Sequence, residues 1–87
     1  MSKTWHDGAW EEYFAWQERD KKVLKKINFL LKDIASNGYN CAAKFEPLKG
    51  NLSEFYSVHI DKKNRLVFRI VNDDIEILEC GGHYGDK

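Results

Sequence analysis

A chain of 87 residues has room for one domain, expected to span 1–87, and so short a chain must bury its core efficiently. Hydrophobic residues make up 43% and aromatics 14%, with a single Pro, which excludes a disordered polymer. Fourteen bases cancel fourteen acids, the two cysteines form no C-x-x-C framework, and no apolar run reaches bilayer length, so the expectation is a cytoplasmic protein without a membrane anchor.

Lys3 to Trp5 reads as a short strand. Asp7 is the expected N-cap of a first helix, whose Trp10, Tyr13, Phe14 and Gln17 fall on one stripe, with the aromatic residues expected in the core. Trp16 lies at the edge of that stripe. A second helix begins near Asp20, with Val23, Ile27, Leu30, Leu31 and Ile34 at helical spacing and Lys21, Lys22, Lys25 and Lys32 opposite. Phe29 falls on the lysine-rich side, where an exposed aromatic is expected. Asn37-Gly38 is the stop, because Gly accepts a left-handed backbone without a Cβ penalty.

Residues 38–54 read as a connection with turn chemistry at Pro47, Gly50 and Asn51. Alternation then takes over. Tyr56, Val58 and Ile60 share one face of a strand, and Ser57 and His59 the other. Asp61 to Asn64 is a hairpin turn. Leu66, Phe68 and Ile70 point inward on the next strand, with Arg65, Val67, Arg69 and Val71 on the reverse. Asn72 to Asp74 turns the chain into a last strand, with Ile75 and Ile77 on one face and Leu78 and Cys80 as their alternates, and the tail from Gly81 is too glycine-rich to extend it. The expected fold is α+β, in the order β-α-α-β-β-β, with two helices on one face of an antiparallel sheet.

Charge is unevenly distributed. From Lys44 to Arg69 there are six bases (Lys44, Lys49, Lys62, Lys63, Arg65, Arg69) against three acids (Glu46, Glu54, Asp61), the local asymmetry an RNA-binding face needs. RNA carries its own nucleophile, the 2′-hydroxyl. Cleavage then needs a base for its proton, a cation for the phosphoryl oxygens and an acid for the departing 5′-oxygen. Glu46, Arg65 and His83 are of the right types. In a three-stranded meander the start of the middle strand and the end of the last are expected at different ends, so the loop and tail must fold back to unite them. His6, His59, Cys41 and Cys80 have no metal-site spacing, and neither metal nor cofactor is expected. The bland alternatives are a solvated carboxylate at Glu46, a turn-flanking Arg65, a surface histidine at His83 and small buried hydrophobes at the cysteines.

From Lys3 to Tyr84 the chain resembles the YoeB/Txe toxins of the RelE superfamily. The resemblance runs through Trp10, Tyr13, Trp16-Gln17, Lys25-Lys26-Ile27-Asn28, Leu31-Lys32-Asp33-Ile34 and Glu46-Pro47-Leu48-Lys49. It continues through Asn51-Leu52-Ser53, Asn64-Arg65-Leu66-Val67 and His83-Tyr84. It implies a RelE-like fold and cleavage of messenger RNA in the decoding site of the 70S ribosome, leaving a 2′,3′-cyclic or 3′-phosphate. By the same resemblance Glu46 is the general base and His83 the general acid. Arg65 and Lys49 bind the phosphate, and Tyr84 positions the RNA. The implied partner is a YefM/Phd-like antitoxin whose flexible segment orders on the toxin, and a homodimer is expected.

Two departures stand out. Val58-His59 replaces a pair of arginines, leaving His59 as a titratable substrate contact, and Gly85-Asp86-Lys87 follow the His-Tyr pair where the family stops. They keep open an attenuated nuclease acting as an antitoxin-binding or repressor partner. A same-fold toxin that inhibits DNA gyrase by protein contact is the other alternative, and it has no need of Glu46 and His83.

Overall fold

The computed structural model describes residues 1–83, with only the backbone of Gly82 and His83. Strand β1 (Ser2–Trp5) leads into helix α1 (Asp7–Arg19) and helix α2 (Lys21–Asn37); β2 (Phe45–Pro47), β3 (Tyr56–His59), β4 (Asn64–Val71) and β5 (Asp74–His83) follow. The strands form one sheet in the order β1-β5-β4-β3-β2, with both helices on one face. The α+β class and the helix pair agree with the sequence reading. The sheet itself departs from it.

Asp7 is not the cap. The backbone N–H of His6 donates to Ile77 O at 3.0 Å, continuing the β1–β5 pairing one residue past Trp5 and holding His6 extended. The cap therefore falls on His6 and the helix starts one residue earlier than expected, so Asp7 places its charge in the first turn, where the helix dipole favours it. Asp20 does cap α2: its carboxylate accepts from the backbone N–H groups of Lys22 (3.0 Å) and Val23 (3.3 Å). Val23, Ile27, Leu30, Leu31 and Ile34 are all buried, as their spacing requires. At the other end, Gly38 adopts φ 59° and returns its N–H to Ile34 O. Among the described residues no helix is long and apolar enough to cross a membrane.

The segment 38–54 is more than a connection. Asp33 reaches out of α2 and accepts from the N–H groups of Ala42 (3.0 Å) and Ala43 (3.2 Å), which aims the chain into β2. Phe45 then joins Tyr39, Tyr56 and Phe68 in an aromatic cluster with centroids 5.1–6.4 Å apart. Pro47 is tolerated because β2 is an edge strand. At the opposite edge β1 runs parallel to β5, so the sheet is mixed, not antiparallel. Both helices and strands β2 to β4 lie between β1 and β5 in the chain, a connection long enough for parallel neighbours.

Strand β5 also outlasts the expected stop at Gly81. Two register shifts, one beside Leu78 and one beside Gly81, let it pair with β4 through His83. Gly81 sits at φ 107°, and a Cβ there would lie 2.4 Å from Trp16 Nε1. Trp16 is accordingly buried, donating from Nε1 to Cys80 O at 3.0 Å, with the Arg19 guanidinium 4.5 Å from its ring centroid. Trp10 and Phe14, expected in the core, are instead 49% and 60% exposed, because α1 turns Ala9 and Trp16 toward the sheet. Phe29 is exposed as expected.

Candidate active site

The helices cover one face of the sheet, where Val58, Leu66, Phe68, Ile75, Ile77 and Cys80 meet α1 and α2. Strict alternation on β3 and β4 sends their neighbours to the other face: Ser57 and His59, then Arg65, Val67 and Arg69. Glu46 belongs to this outer face too, since its partner across β2–β3 is Ser57. One row across the sheet thus reads Glu46, Ser57, Val67, Glu79, and the next reads His59, Arg65, Gly82.

The expectation that the start of β4 and the end of β5 lie apart is wrong. Adjacent antiparallel strands bring the beginning of one beside the end of the other, and Asn64 pairs with His83, Arg65 with Gly82. No folding back is required. His59, the last residue of β3, is exposed and faces Arg65 across the ladder. Glu46 is exposed in the middle of β2, two strands from Arg65, a separation on the order of 10 Å at ~4.8 Å per strand. Lys49 is exposed beyond Pro47, where the chain bonds Leu48 N–H to Phe55 O (3.0 Å), away from the His59 end of β3. Tyr84, and the side chain of His83, lie outside the described residues.

The hairpin turn before Arg65 is built from one carboxylate. Asp61 accepts from the N–H groups of Lys63 (2.8 Å) and Asn64 (2.7 Å) and from Asn64 Nδ2. Burial works to raise its pKa, but these hydrogen bonds outweigh it and hold the carboxyl below its usual range. Asn64 is buried, and its Oδ1 has no hydrogen-bond partner among the described residues.

Sequence reasoning missed Glu79. Arg65 Nε donates to Glu79 Oε1 at 3.1 Å, with the two side chains 17% and 23% exposed. Arg69 is held in the same way: its Nε donates to Glu76 Oε1 at 2.7 Å, its Nη1 bonds Glu54, and its guanidinium lies 4.7 Å from the Phe55 ring centroid. The positive excess of residues 44–69 is therefore offset on the outer face by carboxylates from β5. The signal was present in the spacing of Ile75, Ile77 and Cys80, which changes parity between 77 and 80 and so turns Glu79 outward. Among the described residues, no group of three or more His, Cys, Asp and Glu side chains is placed to hold a metal ion. The arrangement can present a cation to an anionic ligand with a carboxylate on either side, Glu46 and Glu79.

Comparison with known proteins places these features in context. Residues 5–84 match a model described as the YoeB-like toxin of bacterial type II toxin–antitoxin systems. The chain is 42% identical to Toxin YoeB of Escherichia coli K12 over 84 residues, 97% of this chain and all of that protein. It superimposes on the toxin in a heterotetrameric YoeB–YefM toxin–antitoxin complex from Staphylococcus aureus with a TM-score of 0.87 at 41% identity, covering 97% and 98% of the two chains. A YoeB dimer from the same organism matches with a TM-score of 0.86 at 41% identity and the same coverage.

Proposed function

This chain belongs to the family of YoeB-like toxins of bacterial type II toxin–antitoxin systems, and from that premise we propose that it is an endoribonuclease that cuts messenger RNA in the ribosomal A site and so stops translation. The observation that carries the reading is the outer face of the sheet, where the ladder sets Arg65 opposite Gly82, the residue before His83 in the chain, and Glu46 lies two strands away.

The chemistry needs only groups the chain supplies. Glu46 takes the proton of the 2′-hydroxyl as that oxygen attacks the adjacent phosphorus. Arg65 stabilises the charge that accumulates on the non-bridging oxygens, with Lys49 contributing to phosphate binding. His83 gives a proton to the 5′-oxygen as the P–O5′ bond breaks, and Tyr84 orients the nucleotide. The products are a 2′,3′-cyclic phosphate and a free 5′-hydroxyl, with proton and electron pair balanced between base and acid. Glu46 and His83 have to flank the phosphate, because nucleophile and leaving group lie on opposite sides of phosphorus. An edge-strand carboxylate and a residue at the end of β5 suit that requirement.

The partner follows from the same family membership. A YefM/Phd-like antitoxin is the proposed partner and the outer face its proposed seat; a homodimer is the proposed assembly, since the Staphylococcus aureus relative is found both in complex with YefM and as a dimer. The cytoplasm, where ribosomes and antitoxin are found, is the proposed compartment. The test is cleavage of a defined message on purified 70S ribosomes by wild type beside Glu46→Ala, Arg65→Ala and His83→Ala. Each substitution is expected to slow cutting by roughly 10²-fold or more without unfolding the chain. Folded wild type that leaves ribosome-bound message intact overturns the reading, and DNA gyrase supercoiling is then assayed.

A further inference from the structure

The bulge beside Leu78 does more than accommodate a mismatch. Before it, β5 alternates with Ile75 and Ile77 inward and Glu76 outward; unbroken alternation would bury residue 79 against the helices. The extra residue reverses the parity, so Cys80 takes the core position and Glu79 comes to the outer face opposite Val67. There its Oε1 accepts from Arg65 Nε at 3.1 Å.

This geometry is fixed from the far side of the sheet. At Cys80 the backbone N–H donates to Glu12 Oε1 (2.7 Å) and the carbonyl accepts from Trp16 Nε1 (3.0 Å). Two side chains of α1 thus satisfy the backbone groups of the residue next to Glu79. Val67, directly across the ladder from Glu79 and two residues from Arg65 on the same face, is completely buried and gives the pair a rigid floor. An exposed ion pair on a mobile surface would have no such support.

The geometry points to Glu79 as a positioning residue: by gripping Nε it sets the plane and direction of the Arg65 guanidinium, so that the terminal nitrogens meet the phosphoryl oxygens of RNA in one orientation. Arginine binds phosphate through a planar fork, and orientation decides whether the charge stabilises the transition state or only attracts substrate. The carboxylate also places a negative charge near the bound phosphate, so Glu79 trades substrate affinity for alignment. The inference rests on the nuclease reading above and deepens it.

Ribosome-coupled cleavage by wild type, Glu79→Ala and Glu79→Gln separates the two contributions. Alanine removes both grip and charge; kcat is expected to fall by up to roughly 10²-fold, with KM unchanged or lower. Glutamine keeps the acceptor and loses the charge; most of kcat returns while KM falls. Wild-type kcat in Glu79→Ala overturns the inference, as does a glutamine variant no better than alanine. A second measurement needs no cleavage at all. The Nε–Hε signal of Arg65 in ¹⁵N NMR, assigned with Arg65→Lys, is expected to be protected from exchange in wild type and Glu79→Gln and lost in Glu79→Ala. Titration with inorganic phosphate is expected to shift that signal in wild type. Protection that persists in Glu79→Ala defeats the positioning role, whereas absent cleavage with the expected NMR pattern defeats only the nuclease reading.

Discussion

Gly81→Ala should be among the most damaging single-methyl additions available to this chain. Its φ of 107° is a conformation that side-chain-bearing residues rarely adopt, a strain of about 1–3 kcal/mol. The added Cβ would lie 2.4, 2.8 and 2.9 Å from three atoms of the Trp16 indole, which is 5% exposed and has little room to retreat. Overpacking of that kind costs about 1–3 kcal/mol. Retreat of the indole also strains the Nε1–H bond to Cys80 O, worth about 1 kcal/mol. A total of about 4 kcal/mol is a large share of the roughly 5–15 kcal/mol that holds a small domain together. At ~4–8 °C per kcal/mol for a domain of this size, the midpoint should fall by roughly 15 °C or more. Calorimetry and urea unfolding measure it, with Gly8→Ala as the control: nothing lies within 4 Å of a Cβ at that helical position. The control is expected to be neutral or stabilising by up to about 1 kcal/mol. A Gly81→Ala protein within about 0.5 kcal/mol of wild type would refute the placement of Trp16 against β5 and, with it, the bulged end of that strand.

Asp20→Ala removes the acceptor for the N–H groups of Lys22 and Val23 and should cost about 1 kcal/mol in urea unfolding, most of it recovered by Asp20→Asn. Phe68→Ala empties a fully buried site at the centre of the aromatic cluster and should cost about 3–5 kcal/mol by the same assay. Glu76 is held below the usual carboxylate range by its hydrogen bonds to His6 and then Arg69. A depressed carboxylate stabilises the fold above its unfolded pKa of about 4.3 and loses that contribution as pH falls through the folded value. Glu76→Gln should therefore flatten the loss of thermal stability below about pH 4.3, and an unchanged acid limb would contradict the pairing. Burial, and then the charge of Glu12, push the Cys80 thiol up to about 12, so a disulfide reagent at neutral pH should modify it only at the rate of unfolding. Rapid labelling of folded protein at Cys80 would show that the core there is open.

Helix α2 was legible in full because propensity, spacing and capping agree: Asp20 caps it, five apolar residues share a face, and Gly38 ends it. The turn at Asn72 and Asp73 was legible because these residues tolerate the positive φ of 52° and 63° that a tight right-twisting hairpin demands. Strand β1 was visible as a strand, but its parallel pairing was not, since its partner β5 is the last strand of the chain and arrives only after two helices and three strands. Strand β2 was hidden by Pro47 and by its length of three residues; a contact from Asp33 far back in α2 helps to place it. The bulges of β5 were hardest to see, because a parity change across two residues is indistinguishable from noise until a partner strand fixes it. For the candidate site, residue types made Glu46, Arg65 and His83 candidates and the family resemblance gave them roles, while Glu79, which holds Arg65, was signalled only by the parity change between Ile77 and Cys80.

The nuclease reading turns on the 2′-hydroxyl, and a single-atom change in the message tests it. Wild-type protein is given 70S complexes carrying either all-ribose mRNA or the same message with 2′-deoxy substitution at the nucleotide before the cut, and both new ends are identified. The expected result is a 2′,3′-cyclic phosphate or 3′-phosphate and a 5′-hydroxyl from the ribose message, with no cut at the substituted position. Cleavage that proceeds through the deoxy nucleotide, or that leaves a 5′-phosphate, would contradict the roles given to Glu46 and His83.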